Sequence, residues 1–284
     1  MKKKIGIVIL ATMMATLVAC GNESKTGSNE TGTVTTNNET ENNTQENTTE
    51  EKQESNSDEL TDEYLLSLPE TEPSSFNYKE QKDGTIKIDY YLGANDGNDI
   101  VVIPSQIDGK DVTKISKGAF ARANVKAVVT GENVSAIAGE AFSSIKAEKI
   151  LVNGPVTKLV ECAFILAKVD YLTLPEGLEI VGPSAFLSAE VKEITLPASV
   201  KEIGVNAFFG SSAEVIAIKS TSMEIQSGAF SSMTNLKKIY IPSGDIVFRD
   251  DIFSGTENVT VFTPAGSSAE EYAEVNGINF ETLD

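Results

Sequence analysis

The side chains able to do chemistry are few and poorly spaced for it. The 284-residue chain has no histidine and no tryptophan, two cysteines (Cys20 and Cys162) and two arginines (Arg122 and Arg249). Without an imidazole there is no Ser-His or Cys-His nucleophile pair and no histidine metal ligand. Two cysteines cannot build a thiolate zinc cluster, which needs about four ligands. Carboxylates are abundant, with 42 acids against 23 basic residues. Neighbours such as Asp250-Asp251 are what such a composition places on a solvated surface, and they do not make a general acid/base pair. The run Asn95-Asp96-Gly97-Asn98-Asp99 faintly resembles a calcium loop but lacks the distal bidentate Glu, so it reads as a turn between strands. These residues predict no catalytic site, no cofactor and no metal. The formal charge of −19 also disfavours nucleic acid as a partner, since phosphates are repelled.

The elements that hold these residues fall into compositional regimes. Residues 1–19 carry Lys2, Lys3 and Lys4 and no acid. An apolar stretch from Ile5 to Ala19 follows the lysines, too short for a comfortable membrane span of about 20 residues. It ends in Leu17-Val18-Ala19-Cys20, which resembles the lipobox of bacterial lipoproteins. That resemblance implies cleavage after Ala19 and a diacylglyceryl thioether on Cys20, giving an exported chain anchored to the bacterial cell membrane with its folded domain outside. Residues 20–60 hold ten acids against Lys25 and Lys52 and are otherwise mostly Asn, Thr, Ser and Gly. Such a segment buries too little apolar surface to offset chain entropy, and it is expected to be a disordered tether with its ends roughly 35 Å apart.

Beyond the tether the sequence is periodic. Ala119-Phe120, Ala141-Phe142, Ala163-Phe164, Ala185-Phe186, Ala207-Phe208 and Ala229-Phe230 follow one another at intervals of 22 residues, and Ile252-Phe253 follows at 23. Triplets such as Ile150-Leu151-Val152, Leu172-Thr173-Leu174, Ile194-Thr195-Leu196 and Ile216-Ala217-Ile218 keep the same phase. Each predicts a short strand with two inward side chains and one outward. Proline closes several of them, at Pro175, Pro197, Pro242 and Pro264, because it has no N–H for the ladder. One repeat cannot bury its apolar face alone, but a stack of about seven can.

The unit from Ile194-Thr195-Leu196-Pro197 to Ala207-Phe208 resembles the BspA-type leucine-rich repeat, and the resemblance runs from about Phe76 to the C-terminus. It implies a mainly β solenoid, a right-handed coil of about seven 22-residue units with short parallel strands. The asparagine ladder of the commoner internalin-like repeat is missing, since the equivalent positions include Asn133, Gly177 and Ser199. The expected organisation is a signal peptide over 1–19, a lipid-anchored linker over 20–60, an N-terminal segment and β-hairpin cap over 61–99, repeats over 100–264 and a C-terminal cap over 265–284. Asp83-Gly84 marks the hairpin turn. Ser267 and Glu270 have capping-box spacing for a short helix that Gly277 ends.

Two columns of outward strand residues should line one face of the solenoid. One runs Val129, Leu151, Thr173, Thr195, Ala217, Tyr240, Phe262, and the other Ala127, Lys149, Tyr171, Glu193, Val215, Lys238, Thr260. Tyr171, Lys238, Tyr240, Thr260 and Phe262 are the candidate ligand surface. The aromatic pair beside a lysine reads either as an anchor for a protein or glycan or as cross-strand packing, with the C-terminal helix over Phe262. Cys162 reads as a tolerated thiol, the alternative being a reactive or intermolecular one. Resemblance to BspA-type proteins implies a non-catalytic surface lipoprotein for adhesion or recognition. The competing reading is a structural envelope component that touches only the cell's own envelope proteins.

Overall fold

In the computed structural model, residues 60–283 are described. The signal peptide, Cys20 and nearly all of the tether lie outside these residues. Leu60, assigned above to the linker, is already buried.

The first helix, α1 (Asp62–Ser67), is capped by the Thr61 hydroxyl, which accepts from the Tyr64 N–H. A hairpin follows, β1 (Phe76–Glu80) and β2 (Ile86–Tyr91), antiparallel as Asp83-Gly84 predicts. Next come β3 (Ile100–Val102), β4 (Gln106–Ile107) and β5 (Lys110–Ile115). From there each coil supplies two strands: β6 (Ala127–Val129) and β7 (Ala136–Ile137), β8 (Lys146–Leu151) and β9 (Lys158–Leu159), β10 (Lys168–Thr173) and β11 (Ile180–Val181). The series continues with β12 (Glu193–Leu196) and β13 (Glu202–Ile203), β14 (Val215–Ile218) and β15 (Ser222–Ile225), β16 (Lys238–Tyr240) and β17 (Asp245–Phe248), then β18 (Thr260–Pro264). The helix α2 (Ser268–Asn276) and β19 (Asn279–Leu283) complete the described chain.

Coil-to-coil register follows the sequence period. Ile194 pairs with Ile216, Ile216 with Ile239 and Ile239 with Val261, while Val181, Ile203, Ile225 and Phe248 pair in turn on the other side. One repeat is therefore one coil. The inward triplet positions are buried at every coil, apart from a partly exposed Leu172.

The Ala-Phe pairs make the centre of the core. Tyr91, Phe120, Phe142, Phe164, Phe186, Phe208, Phe230 and Phe253 stack with centroids 4.9–5.6 Å apart and planes within 24° of parallel. The alanines are small because the next coil lies directly against them: the Phe186 N–H donates to the Ala207 carbonyl at 2.7 Å, and the Phe164 N–H to that of Ala185 at 2.8 Å.

The residue before each Ala-Phe is left-handed in every coil. Gly118, Glu140, Cys162, Ser184, Asn206, Gly228 and Asp251 have φ of 52–69°. A second left-handed column lies four residues on, at Arg122, Ser144, Leu166, Ser188, Gly210, Ser232 and Gly255, with φ of 52–72°. Non-glycine residues at such positions cost roughly 1–2 kcal/mol each, so the turn geometry is imposed by stacking and not by local preference. Cys162 occupies a backbone slot in this column and is buried.

The covers at both ends follow the expected chemistry with two differences. Ser267 caps α2 by accepting from the Glu270 N–H at 3.1 Å, and Gly277 ends it at φ 66°. The Glu270 carboxylate, however, takes the N–H of Gly266, one residue ahead of the cap. The C-terminal cover is also more than a helix, because β19 adds a parallel strand beside β18. At the N-terminal end, Asp89 is 8% exposed and is held by Lys87 at 2.8 Å and the Ser116 hydroxyl at 2.9 Å, with Lys79 at 3.6 Å. Burial pushes its carboxyl up, but the hydrogen bonds and cations outweigh burial and leave it below the usual carboxylate value. A depressed folded pKa contributes stability above the unfolded value, and that contribution is lost as pH falls through the folded one. Asp89→Asn is therefore expected to be less stable than wild type at neutral pH, with the gap closing below about pH 4; urea unfolding at pH 7 and pH 3 checks this.

Candidate recognition surface

The outward strand residues do share one face, but its first third is covered. The segment from Leu60 to Thr71 runs across it as a strap. Leu60 and Leu65 pack on Val102, Ala127, Val129 and Leu151, all buried, with Leu68 and Ile100 at the margin. The Thr71 N–H donates to the Val102 carbonyl at 2.8 Å, and its hydroxyl accepts from the Val102 N–H at 3.0 Å. Ala127, Val129 and Leu151, expected to line an open surface, are therefore core residues of a second, smaller cluster. Lys149 is sequestered too: its ammonium lies 2.6 Å from Asp62 and donates to the Leu60 carbonyl at 2.8 Å.

Immediately past the strap the strand ladder breaks. β3, β6, β8 and β10 form one sheet, and β12, β14, β16, β18 and β19 form another. Between β10 and β12 there is a single bridge, Lys168 to Glu190. The Val169 N–H still reaches the Glu190 carbonyl at 2.9 Å, after which the two strands part. Tyr171 to Leu174 then face Glu193 and Thr195 across a cleft of about 490 Å³. Tyr171 is 53% exposed there. Lys192 and Lys219 reach Asp170 and Glu176 only at 3.9 and 3.8 Å, so the charges at the cleft are loosely held. Main-chain groups along an opened strand edge are a ready template for an extended chain.

The second patch lies at the other end of the face. Tyr240 and Phe262 stack at 4.9 Å and 26°, and the Lys238 ammonium sits 5.7 Å from the Phe262 centroid. Lys238 pairs in register with Thr260, and Tyr240 with Phe262. Both rings are half-buried. The place beyond Phe262 in the sheet is taken by Glu281 of β19, while α2 turns Ala269 and Ala273 into the core and sets Tyr272 on Phe248 at 4.7 Å. The five candidate residues thus form two sites: Tyr171 stands three coils from the Lys238–Phe262 group, about 14 Å at strand spacing. Among the described residues no three His, Cys, Asp or Glu side chains are grouped to hold a metal ion.

Coils with this register, stacked on one phenylalanine each, match the description "BspA type leucine rich repeat region" in six copies over residues 101–186 and 157–273. The chain belongs to the BspA-type leucine-rich repeat family. Solved structures similar to it include a leucine-rich repeat protein of T. pallidum, 21% identical, covering 75% of this chain and 98% of that one with a TM-score of 0.42. Another, from Bacteroides ovatus, is 16% identical over 66% of this chain and 70% of that one, with a TM-score of 0.40. The pneumococcal vaccine antigen PcpA is 13% identical over 68% and 81%, with a TM-score of 0.42. No match is found among the curated proteins.

In this BspA-type solenoid the missing asparagine ladder is replaced piecemeal. Ser199 donates to the Leu178 carbonyl at 2.6 Å, and the Asn133 amide to that of Ser105 at 3.3 Å. Sequence reasoning missed the strap and the ladder break. The strap left one trace: the outward columns are apolar at Ala127, Val129 and Leu151 and turn polar at Thr173 and Thr195. The break left none, since Leu172-Thr173-Leu174-Pro175 and Ile194-Thr195-Leu196-Pro197 have the same pattern.

Proposed function

We propose that this chain is a non-catalytic surface lipoprotein, held to the bacterial membrane by lipid on Cys20, whose strand face recognises an external protein or glycan in adhesion. The observation that supports this most is the opened ladder between β10 and β12, where half-exposed Tyr171 stands beside freed main-chain edges. The stacked Tyr240–Phe262 pair under Lys238 supplies a second anchor on the same face. No helix among the described residues is long and apolar enough to cross a membrane, so attachment on this reading falls to the lipid.

Two experiments test it. Cys20→Ser is expected to move nearly all of the protein from the membrane fraction to the soluble one, because acyl chains contribute about 0.8 kcal/mol per buried CH₂; retention in the membrane fraction would remove the anchor. Capture of extracellular and envelope proteins, and binding to a glycan array, are compared for wild type, Tyr171→Ala, Tyr240→Ala and Phe262→Ala. An aromatic anchor is expected to cost at least 2 kcal/mol, about 30-fold in affinity. Equal binding by all four would eliminate the site, and partners confined to the cell's own envelope would favour a structural role over adhesion.

A further inference from the structure

The break in the strand ladder leaves particular main-chain groups without their periodic partners. Elsewhere on this face two series of bonds tie one coil to the next. At the strand starts the Glu148 N–H donates to the Lys126 carbonyl, Glu214 to Lys192 and Lys237 to Glu214, each at 2.9 Å. At the strand ends the Thr130 N–H donates to the Leu151 carbonyl at 2.9 Å, Val152 to Thr173 at 3.0 Å and Ile241 to Phe262 at 2.9 Å. By the same period the gap should be crossed from Lys192 to Asp170 and from Leu174 to Thr195. Among the described residues neither bond is made. The two coils are not apart elsewhere. On their other side Ile180 pairs with Glu202 and Val181 with Ile203, and Phe164, Phe186 and Phe208 keep centroids 5.3 and 4.9 Å apart. Each lip is also held back from closing. The Thr173 carbonyl is taken by Val152 and its hydroxyl by the Asp62 carboxylate at 3.2 Å, while β12 is paired with β14 from Glu193–Val215 to Leu196–Ile218. The cleft of about 490 Å³ is therefore a preformed wedge confined to the strand face.

We propose that this wedge takes one extended segment of a partner protein, which adds as a strand between β10 and β12. The proposal rests on the reading that the strand face recognises an external ligand, and it narrows that ligand to a polypeptide. Main-chain N–H and C=O groups need partners, and here they line a cleft. An extended chain offers both kinds of group at strand spacing, which the hydroxyls of a glycan do not. The side chains of the segment follow from the walls. Leu172 is the one inward triplet residue that is not buried, and Leu174 next to it is 8% exposed. The segment should therefore turn apolar side chains inward at two alternate positions, with the residue between them facing out beside Tyr171 and Thr195. Lys192 and Lys219 at the mouth already face Asp170 and Glu176, so the middle of the segment needs no charge. It also contains no proline, which would remove a ladder donor. Because both lips are fixed before binding, little of the ordering cost falls on this chain.

Titration of the chain from Gly21 onward with the acetylated, amidated peptide Val-Lys-Glu-Ile-Thr-Leu-Pro tests this. The peptide copies Val191 to Pro197, the strand that the period places beside β10. Amide exchange followed by NMR is expected to slow at least about tenfold at Leu174 and Thr195, with half-saturation below about 1 mM, while exchange at Phe186 is unchanged. N-methylation of the peptide at its Ile and Thr nitrogens removes one donor toward each lip and no side chain, and it is expected to weaken binding about tenfold or more. Asn in place of the peptide's Ile and Leu should weaken it as much. All of these changes lie in the peptide, so the fold is the same in every measurement. No protection up to about 5 mM peptide, protection confined to amides outside the wedge, or binding indifferent to N-methylation would each overturn the proposal. The wider reading is judged separately, by the capture experiment with Tyr171→Ala. Capture that depends on Tyr171 while Leu174 and Thr195 stay unprotected would overturn strand addition and leave recognition by the face standing. Protection of both amides with capture indifferent to Tyr171 would support strand addition and remove that aromatic anchor.

Discussion

Phe186→Ala is expected to destabilise the solenoid by about 3–5 kcal/mol, toward the upper end of that range. The ring is fully buried, 5.3 Å from Phe164 on one side and 4.9 Å from Phe208 on the other. A cavity costs least where its walls can collapse inward. Here the walls are coil backbones fixed by the hydrogen bonds of Phe186 to Ala207 and of Phe164 to Ala185, and the flanking alanines offer only a methyl group, which cannot swing into the void. The lesion also sits at the middle of an array in which each repeat is stabilised by its neighbours, so it weakens two interfaces at once. Phe253→Ala, at the last ring of the stack and 7% exposed, removes the same atoms but faces one phenylalanine neighbour, and it should cost distinctly less. Urea denaturation of the three proteins decides the matter: a cost under about 1.5 kcal/mol at Phe186 would mean that the stack is a consequence of the fold and not a principal source of its stability.

The reason that core was legible and the recognition surface was not is physical. Phe186 could be read from sequence because the same interaction is repeated at one interval, so Ala-Phe, the apolar triplets and the closing prolines confirm one another. The caps were legible where they use local chemistry with its own spacing, as in Asp83-Gly84, Ser267 with Glu270, and Gly277. The strap is a single event. Leu65 lies on a six-residue helix too short to show a period, and the contact it makes with Val129 and Leu151 has no counterpart in later coils. The left-handed columns were half-visible, as Gly118, Asn206, Gly210, Gly228 and Gly255, but Leu166 and Cys162 in the same slots break any residue-type rule. The gap at Tyr171 depends on how two coils with the same pattern sit against each other, and single-chain patterning carries no information on that.

Leu65→Ala is expected to release the strap while leaving the solenoid folded. Leu65 is fully buried against Val102, Ala127, Val129 and Leu151, and truncating a buried leucine costs about 2–4 kcal/mol. A helix of this length is not stable alone, so the loss falls on docking of Leu60–Thr71 as a unit. The hydrogen bonds joining Thr71 to Val102 then open without global unfolding. Amide exchange at those two residues should rise about 30- to 1,000-fold, the same free energy expressed as an opening equilibrium, while the urea midpoint of the repeats shifts little. Release also takes Asp62 and the Leu60 carbonyl from Lys149, whose side chain is 12% exposed beneath the strap, and returns its ammonium to water. Hydrophobic dye binding should increase as Val129 and Leu151 become accessible. Exchange at Thr71 that rises only in step with exchange at core amides such as Phe186 would show instead that strap and solenoid open together, which would make the strap part of the core and fix the Tyr171 cleft as the near limit of the recognition surface.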